Sequence, residues 1–118
     1  MPHPNLTILY VDSPAASAAF YADLLGREPL EASPTFAMFA LETGAKLGLW
    51  SRHTVEPAAT APGGVELAFP VQDVEAEYER LTARRMPVAQ PVTEMDFGRT
   101  FVVLDPDGHR LRVYAPGP

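Results

Sequence analysis

FGRTFVVLDPDGHRLRV, residues 97–113, is a β-hairpin legible in the sequence. Thr100 to Leu104 is β-branched and aromatic, which suits a pleated strand. Asp105-Pro106-Asp107-Gly108 is a tight turn. Asp105 can hydrogen-bond its own backbone, Pro106 presets φ, and Gly108 tolerates φ > 0. The chain then resumes as His109 to Ala115, where Leu111 and Val113 alternate with Arg110, Arg112 and Tyr114.

Working outward from this hairpin, the chain states one pattern twice. Asn5 to Val11 reads as a strand. Ser13 follows as a helix N-cap, with Pro14 at the first helical position. Residues 15–25 read as a helix with Ala16, Phe20 and Leu24 four apart, and Gly26 stops it. Three extended runs follow: Pro29 to Ala32, Thr35 to Leu41 and Lys46 to Ser51. Thr43-Gly44 turns the chain between the last two. Residues 52–63 are polar, Ala/Pro-rich and aperiodic, and read as a linker. The order then recurs. Val65 to Val71 is a strand, Asp73 caps a helix over Val74 to Arg85 with Val74, Tyr78 and Leu81 as its stripe, and Pro87 to Gln90 is a short extended run. Met95 and Phe97 are expected on a loop before the hairpin. The expectation is one α+β domain over residues 1–118, built from tandem βαβββ modules at 5–51 and 64–115.

Bulk properties narrow the function. With 47% of residues apolar, 118 residues can bury a core without staples, and the chain has no cysteine for disulfide or thiolate chemistry. A net charge of −6 without a basic cluster disfavours nucleic acid. Arg80, Arg84 and Arg85 alternate with Glu75, Glu77 and Glu79, as on a solvated helix face. With no apolar run near 18 residues and no signal-peptide core, the chain reads as soluble and cytoplasmic, with no membrane partner.

The run from NLTILYVDSPAASAAFYADLLG through DPDGHRLRV resembles the glyoxalase/bleomycin-resistance/dioxygenase (vicinal oxygen chelate) superfamily across nearly the whole chain. The resemblance implies two curved sheets around a cleft, with metal ligands at four strand positions in the catalytic members. The flanking patterns place those positions at Leu6, Gly48, Glu66 and Arg112. Only Glu66 could ligate a cation. Leu6 and Gly48 offer no donor, and Arg112 is a permanent cation. A slip of one residue in either direction brings in no usual ligand. His3, His53 and His109 read as exposed loop residues. No metal, no other cofactor and no catalytic residue is therefore expected.

Within the superfamily, NL-x-x-x-YV, Phe20-Tyr21, Glu28-Pro29, Trp50-Ser51, FGRTF and DPDGH-x-x-RV resemble the phenazine-antibiotic resistance proteins. That resemblance implies a metal-free homodimer that sequesters a planar aromatic compound, with Trp50 stacking on it and Phe97, Gly98 and Arg99 at the rim or supporting it. Gly48, on the strand face of Trp50, would leave space beside the indole. Phe39, Phe36 and Met38 lie on the neighbouring strand, Phe39 sharing a face with Thr35. Glu66 and Arg112 would be the polar handles of an otherwise apolar cleft. Core or interface roles for Trp50 and the phenylalanines, and a structural ion pair between Glu66 and Arg112, remain alternatives. The main functional expectation is a metal-independent homodimer binding a planar aromatic or amphipathic small molecule, giving antibiotic resistance by sequestration. The alternative is a lyase, isomerase or dioxygenase of the same fold, with Glu66 as general base or with a metal bound away from these four positions; a purely structural or regulatory dimer is the third reading.

Overall fold

The computed structural model describes residues 5–56, 58–59, 65–95 and 97–116. His3 lies outside them. The chain divides into two compact units, residues 1–63 and 64–118.

The first unit runs β1 (Leu6–Val11), α1 (Pro14–Leu25), β2 (Glu31–Ala32), β3 (Phe36–Ala40) and β4 (Lys46–Ser51). Its sheet has the order β1-β4-β3-β2, with β1 parallel to β4 and the remaining pairs antiparallel. The Ser13 side chain accepts from the Ala16 N–H, Pro14 opens the helix, and Gly26 closes it at φ 68°. Each device satisfies or tolerates a backbone group that the helix leaves open.

Helix α1 packs on β3 and β4. Leu9, Ala37, Phe39, Leu47 and Leu49 form the buried face of the sheet. The helix buries Pro14, Ser17 and Tyr21 rather than the expected Ala16, Phe20 and Leu24. Alanine and serine occupy so many positions around α1 that spacing alone does not single out a face. The large Tyr21 ring settles it, because burying one such ring is worth about 1.5–3 kcal/mol.

The second unit runs β5 (Glu66–Pro70), α2 (Val74–Ala83), β6 (Val88–Met95), β7 (Gly98–Leu104) and β8 (Arg110–Pro116). Its sheet order, β5-β8-β7-β6, repeats the topology of the first, with β5 parallel to β8. Asp73 accepts from the Ala76 N–H to cap α2. Phe101, Val103, Leu111 and Val113 are buried on the helix side, where Tyr78 meets Phe101 edge-on at 5.1 Å. Both units are therefore βαβββ, as the repeated pattern implies.

Three expectations need correction. Strand β6 is eight residues long, not a short run ending at Gln90, and Met95 is its last residue rather than part of a loop. Pro91 disguises it: β6 is an edge strand, and register shifts on both sides of Gln90 absorb the missing donor. The first unit also continues past Ser51. Arg52 N–H donates to the Val11 carbonyl and Val55 is buried, so residues 52–55 are part of its fold and not a linker.

The third correction concerns His109, which is buried at 1% exposure instead of lying in an exposed loop. Its Nδ1 lies 2.9 Å from Asp105 Oδ2, while Asp105 Oδ1 accepts from the backbone N–H groups of Asp107 and His109. The DPDGH turn is thus fastened by one buried carboxylate, with Gly108 at φ 84° completing the bend.

Candidate functional site

In the first unit the sheet face away from α1 carries Ile8 and Tyr10 on β1, Gly48 and Trp50 on β4, and Phe36 and Met38 on β3. Cross-strand register aligns Tyr10, Trp50 and Phe36 in one row and Ile8, Gly48 and Met38 in the next. The indole of Trp50 is half-buried and meets the Phe36 ring edge-on, with centroids 6.0 Å apart. Leu6 and Tyr10 are 40% and 41% exposed on the same face.

Gly48 does face the Trp50 side, but the space above it is filled. A Cβ there would come within 3.1 Å of Phe36 Cζ and 3.4 Å of Ile8 Cγ1. The glycine makes room for the Phe36 ring rather than for an open slot. Phe39 does not join this group. It is fully buried on the helix side of the sheet, with Leu47 as its cross-strand partner.

In the second unit the corresponding face centres on Arg112. Its Nε lies 3.1 Å from Glu66 Oε1, and its Nη1 donates to Gln90 Oε1 and Thr100 Oγ1, each at 3.3 Å. Its guanidinium lies over the Phe97 ring at 5.7 Å, and Phe97 meets Tyr114 edge-on at 6.1 Å. Glu66, Arg112 and Phe97 are thus brought together as the sequence suggests. Gln90, Thr100 and Tyr114 were missed. Their same-face alternation with Val102 and Arg112 was the available signal, and the register shifts in β6 hid Gln90.

Arg99 stands apart from this group. It pairs with Glu75 of α2 and with Glu94 at 3.2 Å, on the helix side of the sheet. The hydrogen bond that Arg99 donates to Glu75, followed by the one it donates to Glu94, raises the Arg99 pKa above its ordinary value, and the bond from Arg99 holds Glu75 below the usual carboxylate range. At the end of β1, Asp12 accepts from His53 Nε2 at 2.6 Å and Arg52 Nε at 3.3 Å. The His53 hydrogen bond is the main cause of its lowered pKa. His53 is exposed, as expected of a loop histidine.

The residues at the four ligand positions do not fit a divalent cation. Leu6 and Gly48 present no donor atom. Glu66, the one carboxylate, already faces a permanent cation in Arg112. Among the described residues no three His, Asp or Glu side chains converge. Nor is any helix among them long and apolar enough to cross a membrane.

Comparison with known proteins agrees with this architecture. The family model for the Glyoxalase/Bleomycin resistance protein/Dioxygenase superfamily matches residues 3–113. The phenazine antibiotic resistance protein EhpR of Enterobacter agglomerans is 32% identical over 117 residues, covering 93% of this chain and 89% of that protein. The solution structure of protein ATC0852 from Agrobacterium tumefaciens is 52% identical, with each chain fully covered and a TM-score of 0.86. A glyoxalase-related enzyme from Fulvimarina pelagi is 26% identical, with a TM-score of 0.81 over 98% of this chain and 88% of its own.

Proposed function

Because the chain belongs to the Glyoxalase/Bleomycin resistance protein/Dioxygenase superfamily, we propose that it is a metal-independent, homodimeric binding protein of the cytoplasm that sequesters a planar aromatic small molecule, with antibiotic resistance as the outcome. The observation that carries this reading is the Trp50–Phe36 pair on a sheet face on which α1, the helix of its unit among the described residues, does not pack. An edge-on aromatic pair presents one ring face for stacking while the other ring holds it in place. The named activity of the relative EhpR supports the ligand class.

On the face of the second unit, Glu66 and Arg112 offer polar contacts of their own, with Phe97 beside them. Gly48 acts indirectly, by admitting the Phe36 ring that braces Trp50. In this reading Arg99 acts on the rim only by tying β7 to α2. Phe39 acts only from the core beneath the aromatic row. The enzyme alternative draws no comparable support, since the Glu66 carboxylate is engaged by Arg112.

Trp50 is the only tryptophan, so its emission reports on the site without interference. Titration with phenazines and quinones should quench it. Trp50→Ala should weaken binding by about tenfold, about 1.4 kcal/mol, while leaving the circular dichroism spectrum unchanged. A tight ligand that leaves the emission untouched and binds Trp50→Ala equally well would falsify the placement. Sedimentation at micromolar concentration should return twice the 12.8 kDa chain mass; a monomer would refute the dimer.

A further inference from the structure

We propose, resting on the binding reading above, that Arg110 and Arg112 form a monoanion subsite that selects a carboxylate-bearing planar aromatic over its neutral counterpart. The two arginines alternate onto one face of β8, so their Cα atoms lie about 6.6 Å apart along the strand. Both line a depression of about 260 Å³ whose other walls are Ala89, Gln90 and Val102. Val102 is 2% exposed and gives the depression an apolar floor.

The two guanidiniums differ in a way that suits recognition. Arg112 is held by Glu66, Gln90 and Thr100, so its position is set before any ligand arrives. Its Nη2 makes no hydrogen bond among the described residues. Arg110 is exposed, and its guanidinium makes neither an ion pair nor a hydrogen bond among them. It also borders a second depression of about 380 Å³ with Val65, Glu66 and Gly108. One arginine is fixed and one is free to close on a ligand.

Charge sets the ligand's valence. Glu66 offsets one of the two arginines, leaving this patch at +1 on a chain of net −6. A single negative charge balances it. A dianionic phosphate would leave excess negative charge beside Glu66. A planar carboxylate also matches the fork of N–H donors on a guanidinium. Phe97, on the Arg112 guanidinium, supplies an aromatic surface for an attached ring.

The test compares phenazine-1-carboxylate with phenazine by calorimetry. The wild type should bind the carboxylate at least tenfold more tightly. Arg110→Gln should reduce that ratio to below twofold, and Arg110→Lys should retain part of it. Equal affinities in the wild type overturn the subsite and leave the aromatic-binding reading standing. If neither phenazine binds, that reading falls, and benzoate decides the subsite alone. Saturable shifts of the Arg110 and Arg112 Nε–H resonances in the wild type, with the Arg112 shift lost in Arg110→Gln, support it; no shift in the wild type overturns it. Dispersion of the amide spectrum of Arg110→Gln verifies its fold.

Discussion

Arg112 Nε lies 3.1 Å from Glu66 Oε1, across a strand junction where Arg112 is 18% exposed and Glu66 40%. The pair lies between a surface ion pair, worth about 0.2–1 kcal/mol, and a buried one, whose disruption costs about 3–5 kcal/mol. Glu66→Ala should therefore destabilise by about 1–2 kcal/mol in urea unfolding. The double variant with Arg112→Met should recover part of that loss, because no half-buried guanidinium is then left without its carboxylate. Strict additivity of the two single changes would show that the pair is uncoupled.

Asp105 should be the most sensitive polar position in the second unit. Its carboxylate is buried, meets the His109 ring and accepts two backbone N–H groups. Asp105→Ala strands those donors and should cost about 2–4 kcal/mol. Asp105→Asn keeps one acceptor oxygen and should fall in between. A loss below about 0.5 kcal/mol for the alanine variant, on the same urea scale, would mean that the turn closes without the carboxylate.

Acid should erode stability through Asp12 and Glu75. Both are held below their ordinary values of 3.8 and 4.5, by His53 with Arg52 and by Arg99 respectively. A carboxylate with a depressed folded pKa adds stability above its unfolded pKa, and that increment disappears as pH falls through the folded one. The loss belongs below about pH 4.5, and it is small because both groups are exposed. The Asp12→Asn/Glu75→Gln double variant should show a shallower acid-side decline than the wild type. Superimposable profiles would remove these two groups from the account.

Arg85, one residue past the Arg84 C-cap of α2, has φ 61°, the left-handed conformation that Gly26 takes at φ 68° as the C-cap of α1. A side chain in the left-handed region costs about 1–2 kcal/mol, part of which glycine's larger unfolded-state entropy cancels. Arg85→Gly should raise the unfolding free energy by about 0.5–1 kcal/mol. A destabilised variant would show that the Arg85 side chain makes a compensating contribution.

Short-range chemistry decided what could be read without coordinates. The caps at Ser13 and Asp73, the Gly26 stop and the DPDG turn depend on neighbours within a few residues, and all form as their residue types dictate. The recurrence of strand, cap and helix about 60 residues apart was enough for the two βαβββ units. Register was harder. Phe36 seals Gly48 and Gln90 reaches Arg112, but both contacts join residues on different strands, and the β6 irregularities shift the second. His109 misled because a residue beside a turn is usually wet. The buried Asp105 partner, four positions earlier, reverses that. For the candidate site, alternation paired Trp50 with Gly48 correctly but could not reveal that Phe39 and Arg99 belong to the helix sides.

The irregular β6 has a further consequence for how safely the protein can be crowded. An outer strand with a continuous row of free N–H and C=O groups is a template for another chain to extend, and such growth leads to fibres. On its margin the first sheet ends in a β2 of only two residues. The second ends in a longer strand, but Pro91 lacks a donor and the ladder slips around it. Truncation in one unit and interruption in the other both deny an intruding strand a long, regular seam at these margins, so the repeated fold arrives at the same protection by two different means.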